Sequence, residues 1–138
     1  MSEYAPLVWG PSMRFGHQKL DADHRQVLSI LLRLQSLFGQ ERVTDDLHDV
    51  FHELMAYVFG HFQTEETFLQ AKGYPGLAAH REAHRDILLT LTDVAQELMQ
   101  PGLNGGALAQ RIHTLVLAHF QGPDQDSVRF LQSRPDLG

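Results

Sequence analysis

Residues 47–69, LHDVFHELMAYVFGHFQTEETFL, decide the fold. Leu47, Val50, Phe51, Leu54, Val58, Phe62, Phe68 and Leu69 recur at three- and four-residue intervals, the signature of a helix with one apolar face. Thr44 can cap it, with Asp45 and Asp46 at the positive end of the dipole, and Gly73-Tyr74-Pro75 closes a helix of up to ~43 Å at about 1.5 Å per residue. The stripe contains two polar residues. At roughly 100° per residue, Leu47, Val50, Leu54, Glu65 and Phe68 fall within about 40° of His61, so His61 and Glu65 project from the middle of the apolar face. His48 and His52 point about 140° and 180° away, beside Asp45 and Asp49, and read as a solvated polar face.

Three further segments repeat the pattern. Upstream, with Asp21 as cap, His24, Val27, Leu28, Leu31, Leu32, Gln35 and Phe38 return at helical spacing until Gly39. Downstream, a helix from about Leu77 places Ile87, Leu88, Leu91, Val94, Ala95 and Leu98 on one face, with His80 and His84 in the same direction, and Pro101-Gly102 ends it. After the Asn104-Gly105-Gly106 turn, a last helix runs from Ala107 to Gln121 with Leu108, Ile112, Leu115 and Val116 inward, His119 in line with them, and Gly122-Pro123 as its terminator. Short Gly- and Pro-marked connections make consecutive helices antiparallel neighbours. The expected fold is all-α, an up-down-up-down four-helix bundle with an N-terminal arm. The expected organisation is a single domain over 1–138: an arm over 1–19 anchored by Trp9, the bundle over 21–121, and a tail over 122–138 with a helical turn through Val128 and Leu131 before Pro135.

Composition narrows the chemistry. The 138 residues contain no cysteine, which excludes disulfides, thiolate metal sites and cysteine nucleophiles. A net charge of −6 with interspersed signs offers no basic stripe, so nucleic acid is not an expected partner. No apolar run approaches the length of a membrane span and no leader pattern opens the chain; a cytoplasmic protein without a membrane partner is expected. Protein partners are not legible.

Nine histidines remain to be explained. His17 in the arm and His113, off the last helix's stripe, read as structural or solvated, whereas His24, His61, His80, His84 and His119 all face inward from four different helices. A single inward histidine is ordinarily a hydrogen-bonded core residue. Five of them together with Glu65 would each need internal partners, and every buried polar group left unpaired costs ~1–3 kcal/mol. Nitrogen and oxygen ligation of a metal pair satisfies them together. Asp124 is the least determined member: five residues beyond His119, it points about 140° away on an ideal helix, so the backbone must change pitch around Gly122-Pro123, or Asp126 must serve instead. Both iron and manganese accept such donors.

The chain resembles the hemerythrin family, in particular its single-domain bacterial members. The resemblance is carried by LDADH (20–24), HFQTEE (61–66), GYPGLAAHREAH (73–84) and HFQGPD (119–124), in the family's order and spacing. It implies two irons, one held by His80, His84 and His119 and the other by His24 and His61, with Glu65, Asp124 and an oxide or hydroxide bridging. That arrangement leaves one coordination position open, on the iron with two histidines, beside a ligand pocket that includes Leu28, Leu115 and Val116. The chain departs from the family pattern at Leu115 (usually Trp), Val116 (usually Leu), Ala118 (commonly Asn) and Asp23 (usually Gln).

The function implied is reversible dioxygen binding without catalysis, for carriage, storage, delivery or sensing. An imidazole-rich ligand set with no Glu-x-x-His element agrees, because neutral donors stabilise high-valent iron less. The alternatives are a di-iron enzyme using the same open position on peroxide, dioxygen or nitric oxide, and a structural or iron-handling bundle.

Overall fold

The computed structural model describes residues 14–133; Trp9 and Pro135, expected as an anchor and a stop, lie outside the described residues. Among those described there are helices and no strands: α1 (Gln18–Gln35), α2 (Asp45–Ala71), α3 (Leu77–Glu97), α4 (Gly105–His119), a π-helical turn (Phe120–Asp124) and α5 (Gln125–Ser133). Each of the first four packs on the next and α4 returns to α1, giving the antiparallel four-helix bundle. Thr44 caps α2 as expected, its hydroxyl accepting from the Leu47 amide at 3.2 Å.

The first helix begins earlier than expected. His17 is its N-cap, with Nδ1 accepting from the Leu20 amide at 3.2 Å, so residues 18 and 19 belong to α1 and not to the arm. Asp21 lies inside the first turn, where its carboxylate accepts from the Phe15 and Gly16 amides at 2.7 and 3.3 Å and ties the arm down. The buried arc of α1 is also wider than its seven-residue stripe. Ile30 and Leu34 are in the core while Leu32 is 49% exposed, because α1 is covered by α2 on one side and α4 on the other and Leu32 falls at the edge.

The larger correction concerns the last helix, which does not end at Gln121. Gly122-Pro123 sits inside the π turn, whose i→i+5 bonding tolerates a residue without an N–H, and the helical path then continues through α5 to Ser133. The start of α4 is also shifted: Asn104 caps it through the Ala107 amide at 2.8 Å, so both glycines are helical. They are glycines because the α1–α2 connection crosses there. The Gly106 amide donates to the Gln40 carbonyl at 2.7 Å, and a Cβ on Gly106 would lie 2.0 Å from the Phe38 carbonyl oxygen.

The buried apolar side chains form two groups. A large core runs along most of the bundle, and a small one gathers Phe15, Leu20, Leu69 and Val128 at one end, with Phe68, Tyr74, Leu77 and Leu131 around it. Much of the polar cluster falls between the two: His24 after Leu20 and before Val27, Glu65 between Phe62 and Leu69, His80 and His84 between Leu77 and Ile87, and Asp124 between Phe120 and Val128, while His61 and His119 lie at the edge of the large core. No described helix is long and apolar enough to cross a membrane.

Candidate metal centre

The N-terminal halves of α1 and α3 and the C-terminal halves of α2 and α4 meet at one end of an antiparallel bundle, so they bring His24, His80 and His84 against His61, Glu65 and His119. All of these, with Asp124, are buried; Glu65 is 0% exposed. Asp124 arrives through the π turn, whose wider pitch brings a residue five places on back toward the side of His119. Asp126, the alternative, is exposed and pairs with Arg129.

The two carboxylates each face both halves of the cluster. Glu65 Oε2 lies 2.9 Å from His24 Nε2 and 3.0 Å from His61 Nε2, while Oε1 contacts His80 Nε2 and lies 3.3 Å from His84 Nε2. Asp124 places Oδ2 3.7 Å from His24 Nε2, and Oδ1 3.1 Å from His119 Nε2 and 3.4 Å from His80 Nε2. The donor atoms fall into two overlapping groups, one of Glu65, His80, His84, His119 and Asp124, the other of His24, His61 and Glu65.

The opposite ring nitrogens fix which atom faces the centre. His61 Nδ1 donates to Asp23 Oδ2 at 3.1 Å and His84 Nδ1 to Glu66 Oε2 at 2.8 Å, since a carboxylate can only accept. The Ser127 hydroxyl donates to the Pro123 carbonyl at 3.1 Å, which leaves its oxygen to accept from His80 Nδ1 at 3.1 Å. With the proton on Nδ1, a neutral imidazole presents the Nε2 lone pair inward, as metal-ligating histidines do.

Those lone pairs meet carboxylate oxygens and one another, His24 Nε2 and His61 Nε2 being 3.0 Å apart, so the centre needs positive charge. In the protein alone only protons can supply it. Burial pushes the Glu65 pKa up, but its close contacts with His24, His61, His80 and His84 outweigh it and hold the carboxyl well below its usual range. Burial likewise lowers His80, and contacts with Asp124 and Glu65 reverse that and raise it to about 9. His84 Nε2, both nitrogens of His119, His24 Nδ1 and Asp124 Oδ1 remain buried without hydrogen-bond partners. Nitrogen and oxygen donors left unpaired around one point fit bound metal better than a proton network.

Helical phase holds for His48 and His52 and not for His113, which lies off the α4 stripe yet is buried. His48 is half-buried and His52 exposed, their rings stacked 6.2 Å apart on the outer side of α2. His17 is a cap, and His113 is buried against Gln35, 3.2 Å from its amide, with Phe38 edge-on.

Beside the cluster lies a small cavity of about 20 Å³, enough for one water-sized molecule. His24, His61, His119 and Asp124 form its polar side, and its apolar side includes Val27, Leu54, Val58, Ile87 and Val116. Leu28 packs in the large core and Leu115 lines an outer groove with Thr90 and Val94; neither borders this cavity. Three residues beside the cluster escaped the sequence reading, Tyr57, which borders the cavity, and the Nδ1 acceptors Glu66 and Ser127, and Asp23 was noted there only as a departure from the family pattern. Tyr57 stands one helical turn before His61, a spacing visible in the sequence, whereas Ser127 could be found only once the helix was known to continue past Pro123.

The family model for the hemerythrin HHE cation binding domain matches residues 16–126. The chain belongs to the hemerythrin family. A bacteriohemerythrin of Pseudomonas aeruginosa (strain LESB58) is 31% identical over 133 residues, 94% of this chain and 86% of that one. A bacteriohemerythrin of Stenotrophomonas maltophilia is 25% identical over 122 residues, 88% of this chain and 78% of its own. A crystal structure of a hemerythrin variant with one leucine-to-tyrosine substitution superposes with a TM-score of 0.70 at 20% identity, covering 93% of this chain and 98% of that one, a likeness of fold. The buried cluster could hold the cation of a hemerythrin-type domain.

Proposed function

We propose that this chain binds dioxygen reversibly at a pair of iron ions held by His24, His61, Glu65, His80, His84, His119 and Asp124. His80, His84 and His119 would hold one ion, His24 and His61 the other, and Glu65 and Asp124 would bridge, the assignment their split oxygens favour. When bound, the iron pair supplies the electrons and the open coordination position that a dioxygen ligand needs. The observation that carries the proposal is the cavity, bordered by both histidines of the two-histidine group and, from the other three, by His119 alone. Its apolar walls favour a small neutral guest over water or a larger polar substrate. The protein's part is to hold donors and exclude solvent. Asp23, Glu66 and Ser127 lock three imidazoles in the ligating orientation, and Val116, Val58 and Ile87 keep water and protons from the guest. We read the chain as one domain that releases its ligand unchanged.

The test begins with metal analysis of protein produced with ample iron, where about two irons per chain are expected from the ligand count. Anaerobic reduction, admission of air and removal of oxygen should then make a ligand-to-iron absorption band appear and disappear over repeated cycles. Irreversible bleaching, or turnover of added peroxide, would favour the enzymatic alternative.

A further inference from the structure

Tyr57 is the one residue bordering the cavity whose polar atom has neither a partner nor a place in the donor cluster. It sits on α2 one turn before His61, and its ring lies over the His61 imidazole at 5.2 Å with planes 16° apart. The side chain as a whole is half-buried, yet the hydroxyl is fully buried. Its tip therefore points inward.

A buried phenol with no acceptor is unfavourable, and among the described residues none accepts from it. The carboxylates nearby face other groups, Asp23 toward Lys19 and His61, Glu65 toward four histidines, Asp124 toward His80 and His119, and none is hydrogen-bonded to the phenol. A phenol keeps its proton at physiological pH, so the group is an O–H donor. The acceptor it lacks is whatever enters the cavity.

We propose that Tyr57 is a ligand-positioning residue, whose hydroxyl donates a hydrogen bond to the outer atom of a small ligand bound in the cavity between His24, His61 and Val116. This rests on the iron-pair reading above. The ligands favoured are small, rod-shaped and carry negative charge on the atom away from the metal, as azide or a dioxygen that has drawn electrons does. Neutral ligands of the same size gain less. No proton is transferred: the hydroxyl donates and keeps its hydrogen.

Tyr57→Phe retains the ring over His61 and removes only the donor. In the iron-loaded, oxidised protein titrated with azide, the variant should bind about tenfold or more weakly, the usual worth of a hydrogen bond to a charged group. The bound-azide stretching band should shift between H₂O and D₂O in the wild type and not in the variant. In the metal-free protein Tyr57→Phe should unfold at a midpoint no lower than wild type, because the hydroxyl loses no partner there. Equal azide affinity with identical isotope behaviour in both proteins would overturn the proposal, leaving a structural hydroxyl or one bonded only to water. So would a metal-free variant that is markedly destabilised, since the hydroxyl would then be paired within the protein. Wild-type protein that takes up no iron would overturn the iron-pair reading and this proposal together, whereas iron-loaded wild type matched by the variant overturns this proposal alone.

Discussion

Asp124 reaches the cluster only because the backbone widens immediately before it. Asp126, two residues on, is exposed beside Arg129, so the two aspartates make a clean comparison. Asp124→Ala is expected to weaken iron retention at least about tenfold, no less than loss of an outer partner of a metal ligand does, while Asp126→Ala retains it. Iron content after dialysis against a chelator reads this directly, and equal loss in both variants would remove Asp124 from the ligand set. Val116 makes the second prediction at this scale. It borders a cavity with room for one small molecule, so Val116→Leu should fill that room and slow autoxidation of the oxygenated form. An unchanged autoxidation rate would mean that water reaches the irons by another route. The five inward histidines and Glu65 were legible in the sequence because helical phase depends only on counting residues. Asp124 was not settled, because counting assumes constant pitch. Of the three residues that the resemblance placed at a ligand pocket, Val116 borders the cavity, whereas Leu28 packs in the large core and Leu115 on an outer groove.

At the scale of elements, the places where expectation and structure part are helix ends. Asp21 has the right chemistry for a cap and uses it on the Phe15 and Gly16 amides from within the helix, while His17 does the capping. Gly122-Pro123 has the composition of a stop and forms a wide turn instead, because the residues beyond it, Ser127 and Val128, have a hydrogen bond and a core to reach. Gly105-Gly106 looks like a flexible turn and is a close crossing. Gly106→Ala should therefore cost about 1–3 kcal/mol or more, the clash being with backbone that cannot rotate away. Gly60 supplies the control, lying in α2 with nothing within 4 Å of a Cβ, so Gly60→Ala should gain about 0.5–1 kcal/mol. Denaturant midpoints of the two variants should move in opposite directions; a Gly106→Ala protein as stable as wild type would show that the crossing is loose.

For the whole molecule, the buried charge cluster makes stability depend on pH and on metal together. Without metal, the raised His80 pKa means that its proton stabilises the fold fully below its ordinary value of 6.5, and that contribution disappears as pH rises through about 9. Glu65 and Asp124 are depressed, so theirs is present above the ordinary values of 4.5 and 3.8 and is lost as pH falls through the lower folded ones. Metal-free protein should accordingly be less stable at pH 9 than at pH 6. Metal-loaded protein should not follow, because ligation requires unprotonated Nε2 and rising pH favours it. Urea midpoints at the two pH values, with and without iron, check this, and a metal-free midpoint that rises toward pH 9 would refute it.

The polar cluster between the two apolar cores has a consequence for cooperativity. The large core can hold most of the bundle by itself, whereas the small one rests on four buried side chains from segments far apart in the chain. Ions held as proposed, with ligands on both sides, would join these into a single unfolding unit. Without them, the end carrying α5 would open as a separate foldon with its own lower energy. A cell that runs short of iron would then find the empty chains already frayed at one end, exposed to its proteases, while the filled ones stay closed.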